Sequence, residues 1–405
     1  MEIRSTTDAD LEAFVDTLYA AFGEAPGTAA EDGGGALWSA YEMDRGLLAV
    51  AEDGRPVGTA GAYSFELTLP GGAVVPAPGV TGVGVLASHR RRGVLTAMMR
   101  RQLESLRERG EVLSVLLASE AVIYRRFGYG PATYTARLTV PGHRKALAAP
   151  RAGGPGTAPA GSVEIRRRAE CVDALEEVYD RYRRAQPGAL SRPHRWWAAG
   201  AGQPPVSRAP RLVALHRDAD GVPDGYATYL MDARKLTVDE VVAVSDAVYT
   251  DLARFLLGHD LAETVVFRHV PTGHPLRWQF TDFRAGEVTG DTDWLWVRLL
   301  DVAGALSARG WGADGELVLE VDDPFLGERG RYLLSVRDGK GVCGLTERAP
   351  DLSLDVSDLG SLYLGGTVPS TLVRAGHVRE HRAGAAALAD AVFRSEREPH
   401  CLHWF

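Results

Sequence analysis

The sequence predicts a mixed fold of the α+β class (mixed α/β), divided into three domains. Between residues 1 and 130 the apolar segments follow the order strand, helix, antiparallel strands, strand, helix. A stretch rich in alanine, glycine and proline at 145–161 interrupts this pattern, and a similar order of elements resumes after it. We therefore predict domains at 1–144, 162–292 and 293–405, with 145–161 as a linker or exposed loop.

The first predicted domain opens with a short strand at 1–4 and an amphipathic helix. Apolar side chains recur at helical spacing from Leu11 to Phe22, Asp8 is a candidate N-terminal cap, and Gly23 ends the pattern. Three strands follow, at 47–51, 57–69 and 74–86, with glycine-containing turns between them. We predict a meander that leads into the third of these strands.

The stretch VTGVGVLASHRRRGVLT at 80–96 predicts a buried strand, a basic turn and the start of a helix. Val83 and Val85 are β-branched strand residues, and apolar side chains at helical spacing begin just after Arg91. The first N–H groups of a helix lack intrahelical partners and carry the positive end of its dipole. Together with the three consecutive arginines at 90–92, this N-terminus predicts a site for a pyrophosphate.

Two more segments of the first domain are informative. The small and polar residues at 24–35 predict a mobile loop that could cover a pocket. An apolar strand at 112–117 precedes a helical stretch that carries Tyr124 and ends at Gly128.

The second region repeats the order strand, helix, strand, strand, but it lacks the arginine turn. It comprises a strand at 163–165, a helix through Leu175 and Tyr182, strands at 212–215, 225–231 and 241–243, a helix capped by Ser245 or Asp246, and a strand at 265–268. We therefore predict a second domain of the same kind in which the phosphate turn is missing.

The third region starts with DWLWVRLL at 293–300. It contains an amphipathic helix, a hairpin formed by 317–321 and 332–336, a strand at 352–356, a helix capped by Asp358, and a last helix at 384–393.

The amino-acid composition argues against several classes of function. The 405 residues are 45% hydrophobic and 24% charged, as in a soluble globular protein, and the net charge of −8 argues against broad nucleic-acid binding and suits cationic substrates. Three cysteines without C-x-x-C spacing suggest neither a disulfide framework nor a metal site. No leader pattern or membrane-length apolar run is visible, so we expect a cytoplasmic protein without membrane partners.

The segment 80–96 carries the pattern V-x-V-x-(P/A)-x-x-R-R-x-G, which resembles the acetyl-CoA motif of the GNAT N-acetyltransferases. Ala87 stands where many members have proline, and Leu95 stands where many have glycine or alanine. The resemblance implies a GNAT domain that uses acetyl-CoA as co-substrate and no metal. The implied cofactor-binding residues are Val83, Gly84, Val85, Arg91, Arg92, Gly93, Val94, Leu95 and Thr96.

Further motifs are similar to those of the enhanced-intracellular-survival (Eis) family of aminoglycoside and amine acetyltransferases. They are ASEAVIYRRFGYGPAT at 118–133, the segments 293–302 and 358–366, and the ending PHCLHWF. The resemblance extends over the whole chain. It implies a degenerate GNAT-like second domain, a third domain like sterol carrier protein, and a homo-oligomer, a hexamer.

The Eis resemblance also implies roles for named residues. Tyr124 is the implied general acid, and a phenol with a pKa of about 10 can protonate a thiolate; Tyr129 is its rival. Ser119 and Glu120 correspond to positions near the sulfur of the cofactor. The α-carboxylate of Phe405 is the implied general base, and His403, with a pKa nearer neutrality, is the alternative.

An acceptor pocket for a polycation needs acids and aromatic faces, and Phe22, Glu24, Trp38 and Tyr41 are candidates by position. Trp404 occupies a place where the family often has an acid, which bears on the affinity for highly charged aminoglycosides. The predicted function is acetylation of a small-molecule amine such as an aminoglycoside. The alternatives are acetylation of protein lysines or N-termini, and a hydrophobic-ligand carrier built on the third domain.

Overall fold

The computed structural model describes residues 1–25, 41–148, 161–198 and 210–405. The first region contains β1 (Glu2–Ser5), α1 (Leu11–Phe22), β2 (Leu47–Val50), β3 (Pro56–Thr68), β4 (Val74–Val85), α2 (Val94–Glu108), β5 (Leu113–Leu117), α3 (Ala121–Tyr124), β6 (Gly130–Pro131) and β7 (Tyr134–Pro141). These elements confirm the predicted order of strand, helix, meander, strand and helix.

The second region repeats this plan. It contains β8 (Ser162–Arg167), α4 (Val172–Ala185), α5 (His194–Ala198), β9 (Leu212–Arg217), β10 (Pro223–Asp232), β11 (Lys235–Ala243), α6 (Asp246–Leu257), β12 (Thr264–Val270), α7 (Leu276–Gln279) and β13 (Glu287–Asp293). Ser245 caps α6 as predicted, because its hydroxyl accepts a hydrogen bond from the Val248 N–H at 3.3 Å.

The third region follows from residue 295. It contains β14 (Leu295–Leu299), α8 (Val302–Ala308), β15 (Gly315–Asp323), β16 (Glu328–Arg337), β17 (Lys340–Leu345), β18 (Leu352–Asp355), α9 (Val356–Tyr363), α10 (Pro369–Arg374), β19 (Arg379–Glu380) and α11 (Ala385–Phe393). None of the helices in the described ranges is long and apolar enough to cross a bilayer.

The three sheets exchange strands between the regions. The first sheet has the order β1-β2-β3-β4-β5-β14-β6, the second β13-β7-β12-β11-β10-β9-β8, and the third β17-β16-β15-β18-β19. Thus β7 leaves the first region to pair with β12 and β13, and β14 returns from the third region to lie between β5 and β6. The predicted boundaries at 144 and 292 therefore do not separate the sheets.

The structure also differs from the sequence predictions in the start of one helix, in two helix caps and in the start of the linker. Helix α2 begins at Val94 rather than near Arg91, because Arg91 (φ 61°) and Gly93 (φ 79°) adopt left-handed backbone conformations. Asp8 is not the cap before α1; instead, Asp10 forms a capping box with Thr7.

Asp355, and not Asp358, caps α9, since its carboxylate accepts from the Ser357 N–H at 2.8 Å. The first residues of the linker or exposed loop predicted at 145–161 are held by contacts with the second region. Leu147 forms a β-bridge with Phe280, and Lys145 Nζ donates to the His259 carbonyl at 2.7 Å.

The first sheet splits at the end of β4. Parallel pairing of β4 with β5 is confined to Gly79 with Val115 and Val80 with Leu116. Beyond Val80 the two strands diverge, while β4 continues to pair with β3 up to Val85. Within the described residues, the edge of β4 that faces the split is therefore free of strand partners beyond Val80, and a cleft opens there.

Two fully buried histidines predict acid sensitivity. His400 is 2% exposed and burial lowers its pKa to about 3, whereas burial lowers the pKa of His403 well below its usual value. The unfolded chain binds protons at these sites below about pH 6.5, while the folded chain stays neutral there, so stability falls as the pH falls. We expect these two histidines to contribute a drop of roughly 3 kcal/mol per pH unit in the free energy of unfolding between pH 6 and 4. Burial lowers the pKa of His269 and of His274 to about 4, so these two residues add to the slope.

Urea unfolding at a series of pH values measures this slope. A His400→Asn variant should lose about 1.4 kcal/mol per pH unit of this slope, whereas the exposed His143→Asn control should keep it. An identical slope in the His400→Asn variant contradicts the assignment.

Candidate active site

The cleft between the diverging strands leads into a cavity of about 630 Å³. Helix α1, strands β3 and β4, the end of β5, the segment before β14 and the C-terminus form its walls. The lining residues are Leu18, Tyr19, Phe22, Glu24, Tyr63, Val80, Thr81, Gly82, Val83, Leu117, Ala118, Ser119, Tyr124, Thr292, Asp293, Trp294, Trp404 and Phe405. The cavity thus joins residues from all three regions of the chain.

Tyr124 lies in the cavity wall at the end of the single-turn helix α3. The side chain is only 8% exposed, and burial raises the pKa of its phenol above the usual value, although the nearby Ser119 side chain opposes this shift. A left-handed Gly128 (φ 82°) ends the turn, and a Cβ there would lie 2.8 Å from the Arg298 guanidinium. The phenol is therefore protonated at neutral pH and held by a tightly packed turn.

The two rival catalytic groups lie elsewhere. Tyr129 is fully buried, its hydroxyl hydrogen-bonds to Ser114, and it does not line the cavity. His403 is also fully buried, and its Nδ1 accepts a hydrogen bond from Arg192 Nε at 3.2 Å. Because burial keeps the pKa of His403 well below its usual value, this imidazole is neutral and turned toward a cation rather than toward the cavity.

The chain ends in the cavity at Phe405. Its side chain is 9% exposed and its ring packs edge-on against Phe65, with ring centroids 5.0 Å apart. A Cβ at residue 79 would lie 2.8 Å from Phe405 Cε2 and 2.6 Å from the Phe65 ring, so glycine is required there. The aromatic C-terminus therefore packs against the first sheet.

A buried ion pair holds the last residues in place. Arg192 and Glu240 are both 0% exposed and lie 3.2 Å apart, and the Tyr226 hydroxyl donates to Glu240 at 3.1 Å. The same guanidinium donates to His403 and stacks over the Tyr179 ring at 4.2 Å. The second domain thus anchors the segment that ends at Phe405.

An Arg192→Met variant is expected to destabilise the protein by about 3–5 kcal/mol, because it removes the guanidinium that faces the buried Glu240 carboxylate. Chemical denaturation measures the change. Arg55→Met is the matched control, since Arg55 forms an exposed pair with Asp53 and should change stability by less than about 1 kcal/mol. Equal effects of the two substitutions contradict the anchoring role.

The turn between β4 and α2 lies at the outer end of the cleft. Arg91, Arg92, Gly93 and Thr96 are exposed, and Gly93 occupies the N-cap position of α2 without any side-chain cap. Since no side chain satisfies the first N–H groups of this helix, they are available to an anion.

The sequence places Arg90 at the predicted pyrophosphate site, but in the structure its side chain bonds to the protein backbone. Its guanidinium donates to the carbonyls of Ala21 at 2.7 Å and Val85 at 3.2 Å. It therefore joins the end of α1 to the end of β4, and only two of the three arginines point freely to solvent. Gly84 has a packing role as well, since a Cβ there would lie 2.9 Å from Ala21 Cβ.

The predicted cofactor residues occupy one continuous path from the turn to Tyr124. Val83 and Ser119 line the cavity itself, whereas Gly84, Val85, Arg91, Arg92, Gly93, Val94, Leu95 and Thr96 continue from it along β4 and the turn. Val94 is 2% exposed, so its side chain is part of the core. Glu120 is exposed and does not line the cavity, although its charge contributes to the raised pKa of Tyr124.

The predicted acceptor residues divide into three cases. Phe22, which is 63% exposed, and Glu24 lie in the cavity wall. Tyr41 is instead 9% exposed and packs against Phe14 and Tyr63 in the core, so its placement in the pocket is wrong. Trp38 lies outside the described residues, as does most of the loop predicted at 24–35.

Sequence reasoning missed a second set of cavity residues. Tyr19 and Tyr63 come from α1 and β3, and Asp293 and Trp294 precede β14. Asp293 accepts a hydrogen bond from Trp296 Nε1 at 2.6 Å, and Trp294 Nε1 donates to the His403 carbonyl at 3.4 Å. Asp293 and Trp294 reach the cleft because the strand that follows them, β14, inserts into the first sheet.

The charged side chains among the described lining residues are all acidic. Glu24 and Asp293 are its acidic side chains, and Phe405, the residue that carries the α-carboxylate, lines the same wall. Among the lining residues within the described ranges, none is lysine, arginine or histidine. Such a cavity favours cationic molecules.

Comparisons with known families match all three parts of the chain. Two acetyltransferase (GNAT) domain families match residues 2–132 and 188–299, and the sterol carrier protein domain family matches 302–402. These matches confirm the predicted fold class, including the GNAT-like second domain and the third domain like sterol carrier protein.

Whole-chain relatives carry the same description. The N-acetyltransferase Eis of Mycobacterium tuberculosis is 35% identical over 89% of each chain, and an uncharacterised N-acetyltransferase of Streptomyces griseus is 38% identical over 86% of this chain and 87% of its own. The crystal structure of Eis1 from Mycobacterium abscessus covers 100% of both chains with a TM-score of 0.85 and 34% identity. The protein therefore belongs to the Eis-like family of GNAT acetyltransferases.

Proposed function

We propose that the protein transfers the acetyl group of acetyl-CoA to primary amines of aminoglycosides or related polyamine-like small molecules, with Tyr124 as general acid and the Phe405 α-carboxylate as general base. The observation that carries this proposal is that Tyr124 and the chain terminus share one acidic cavity at the split in the sheet.

The amine must lose its proton before or during attack on the thioester. A carboxylate with an ordinary pKa of about 3.5 is a weak base in water, and burial strengthens it because desolvation disfavours its charged form. Phe405 is 9% exposed, and its position is fixed by Phe65 and Gly79. The terminus can therefore take a proton from the bound amine, either directly or through one water molecule.

The leaving thiolate needs a proton of its own. Tyr124 carries one at neutral pH because burial raises the pKa of its phenol, and Ser119 lines the cavity beside it. The thioester supplies the activated acetyl carbonyl. The free edge of β4 at Val83 offers a backbone N–H that can hydrogen-bond to a pantetheine arm, and the exposed turn at 91–96 can hold the phosphates.

Acceptor recognition follows from charge and aromatic surface. Glu24 and Asp293 can pair with ammonium groups of the acceptor, and Trp294 and Trp404 offer ring faces for cation–π contacts. An acceptor with several amines fits this wall better than one with a single amine, because the wall carries more than one acid.

An acceptor screen tests the proposal. Purified full-length protein is mixed with acetyl-CoA and an aminoglycoside, a linear polyamine, a lysine-containing peptide or buffer alone, and free thiol is measured over time. We expect thiol release with the aminoglycoside or polyamine and none with buffer. Release with the peptide alone supports protein acetylation instead, and no release with any amine contradicts the proposal.

The carrier alternative finds little support in the third domain. A cavity of about 440 Å³ between α2 and the third sheet is lined by charged side chains, among them Arg107, Glu111, Asp301, Asp323 and Glu328. A lipid tail gains nothing from such a wall, since burial of apolar surface drives its binding.

A further inference from the structure

One face of the second sheet carries a groove away from the candidate active site. Leu236 and Val238 of β11 belong to the core that packs against α6. Since side chains alternate along a strand, Lys235 and Thr237 point to the opposite face, on which α4 packs against β10 and β11. Toward β12, β7 and β13, this face forms a groove of about 510 Å³.

The groove is lined by cationic and hydroxyl side chains. Its lining residues are Arg137, Thr139, Lys235, Thr237, Thr264, Val266, Arg268 and Thr289. Three of these are cations, and no acid is among the described lining residues. None of them lines the cavity that holds Tyr124 and Phe405. We call this surface the basic groove.

Two of the three cations have no partner for their charge. Arg137 and Lys235 are exposed, and neither side chain forms an ion pair or a hydrogen bond with a described residue. Their charges are therefore available to a ligand in the groove.

The third cation, Arg268, shares its acid with a second arginine. Asp239 is 1% exposed, accepts a hydrogen bond from Arg211 Nε at 2.5 Å and lies 3.8 Å from Arg268 Nη1. Burial lowers the pKa of Arg268, Asp239 opposes this shift, and the positive charge of Arg137 adds to it. Because one buried carboxylate faces two guanidinium groups, positive charge remains in excess behind the groove as well.

This excess of positive charge costs stability while the groove is empty of anions. Arg137 and Arg268 lie close to each other on the neighbouring strands β7 and β12, and like charges on neighbouring strands repel. Threonine is common on exposed strands, so the hydroxyls alone indicate no ligand. Guanidinium groups, however, hold phosphate oxygens in pairs, and threonine hydroxyls add donors beside them.

Acids at the margins favour a compact anion over an extended one. Asp232 lies opposite Lys235 in the pairing of β10 with β11. Glu287 lies opposite Thr139 in the pairing of β13 with β7. Neither acid lines the groove, and the chain as a whole has a net charge of −8. A long polyanion would be repelled beyond the groove, whereas a short one contacts the cations.

We propose that the basic groove binds a compact anion of the diphosphate or triphosphate class, held by Arg137, Lys235 and Arg268. The site does not depend on the acetyltransferase assignment, because none of these residues lies in the candidate active site.

Calorimetry with inorganic tripolyphosphate tests the proposal. The turn at 91–96 is the other predicted phosphate site, so the titration uses full-length Arg91→Gln/Arg92→Gln protein in a buffer without divalent cations. We expect tripolyphosphate to bind with a Kd of about 1 mM or below, and orthophosphate to bind at least about tenfold more weakly. No heat from tripolyphosphate, or equal affinity for the two ions, overturns the proposal. Tighter binding of poly-glutamate than of tripolyphosphate assigns the groove to an acidic protein and also overturns it.

Further variants in the same protein locate the bound ion. Arg137→Gln/Lys235→Gln removes two exposed cations of the groove and should weaken tripolyphosphate binding at least about tenfold. Arg374→Gln/Arg379→Gln removes two exposed cations from the third region, so it makes the same change in net charge and should leave the affinity unchanged. Equal effects of the two double variants, or unchanged binding in Arg137→Gln/Lys235→Gln, overturn the placement.

Discussion

A Tyr124→Phe variant is expected to lose about 10²- to 10⁴-fold in kcat for acetyl transfer, the range that a positioned general acid contributes. Only the hydroxyl is removed, and the ring still fills its place beside Tyr129, with the ring centroids 6.3 Å apart. The KM for acetyl-CoA should change little, because the proposed role of the phenol is to protonate the leaving thiolate and not to bind the thioester. Steady-state thiol release measures both constants.

Tyr129→Phe is the matched control for this prediction. Tyr129 lies in the same turn but hydrogen-bonds to Ser114 inside the core, outside the cavity. We expect this variant to keep kcat within a few-fold of the wild type and to lose about 1 kcal/mol of stability with its hydrogen bond. If the two variants exchange these behaviours, Tyr129 is the acid and Tyr124 is not.

Extending the chain by Gly-Ser after Phe405 is expected to lower kcat about 10²-fold or more. The extension converts the α-carboxylate of Phe405 into a peptide bond and places the new terminus beyond the point where Phe405 packs against Phe65. Thiol release with a fixed amine acceptor measures the loss. The same Gly-Ser pair added before Met1 is the control and should leave turnover unchanged.

A second variant separates the carboxylate from the ring. Phe405→Leu keeps the terminal carboxylate while reducing the aromatic contact with Phe65 and Gly79. It should therefore retain more activity than the extended chain. Full activity of the extended chain assigns the base to another group, and equal losses in both variants assign the role of Phe405 to packing.

Much of the first domain could be predicted because its signals are local. Gly23 ends α1 in a left-handed conformation, the glycine turns separate β2, β3 and β4, and Gly128 ends the turn after Tyr124 as expected. Each of these features depends on a few adjacent residues, so the sequence shows it directly.

The surroundings of the site could not be predicted in the same way. The segment LWVRL at 295–299 is apolar except for one arginine. Nothing in this short pattern indicates which sheet the strand joins. Arg298 tolerates full burial because Asp323, from the third sheet, lies 2.5 Å away. The position of Asp293 and Trp294 in the cavity depends on this long-range pairing.

The sequence by itself determined the family, the arginine-rich turn, the candidate acid and the aromatic terminus, because each is encoded in a short run of residues. Only the tertiary structure decided which of these groups share a cavity. It buried His403 against Arg192, used Arg90 to join α1 to β4, and brought the terminus to Tyr124 across 281 positions of sequence, from 124 to 405. Burial and charge at such points depend on segments far apart in the chain, so the assembled structure sets them.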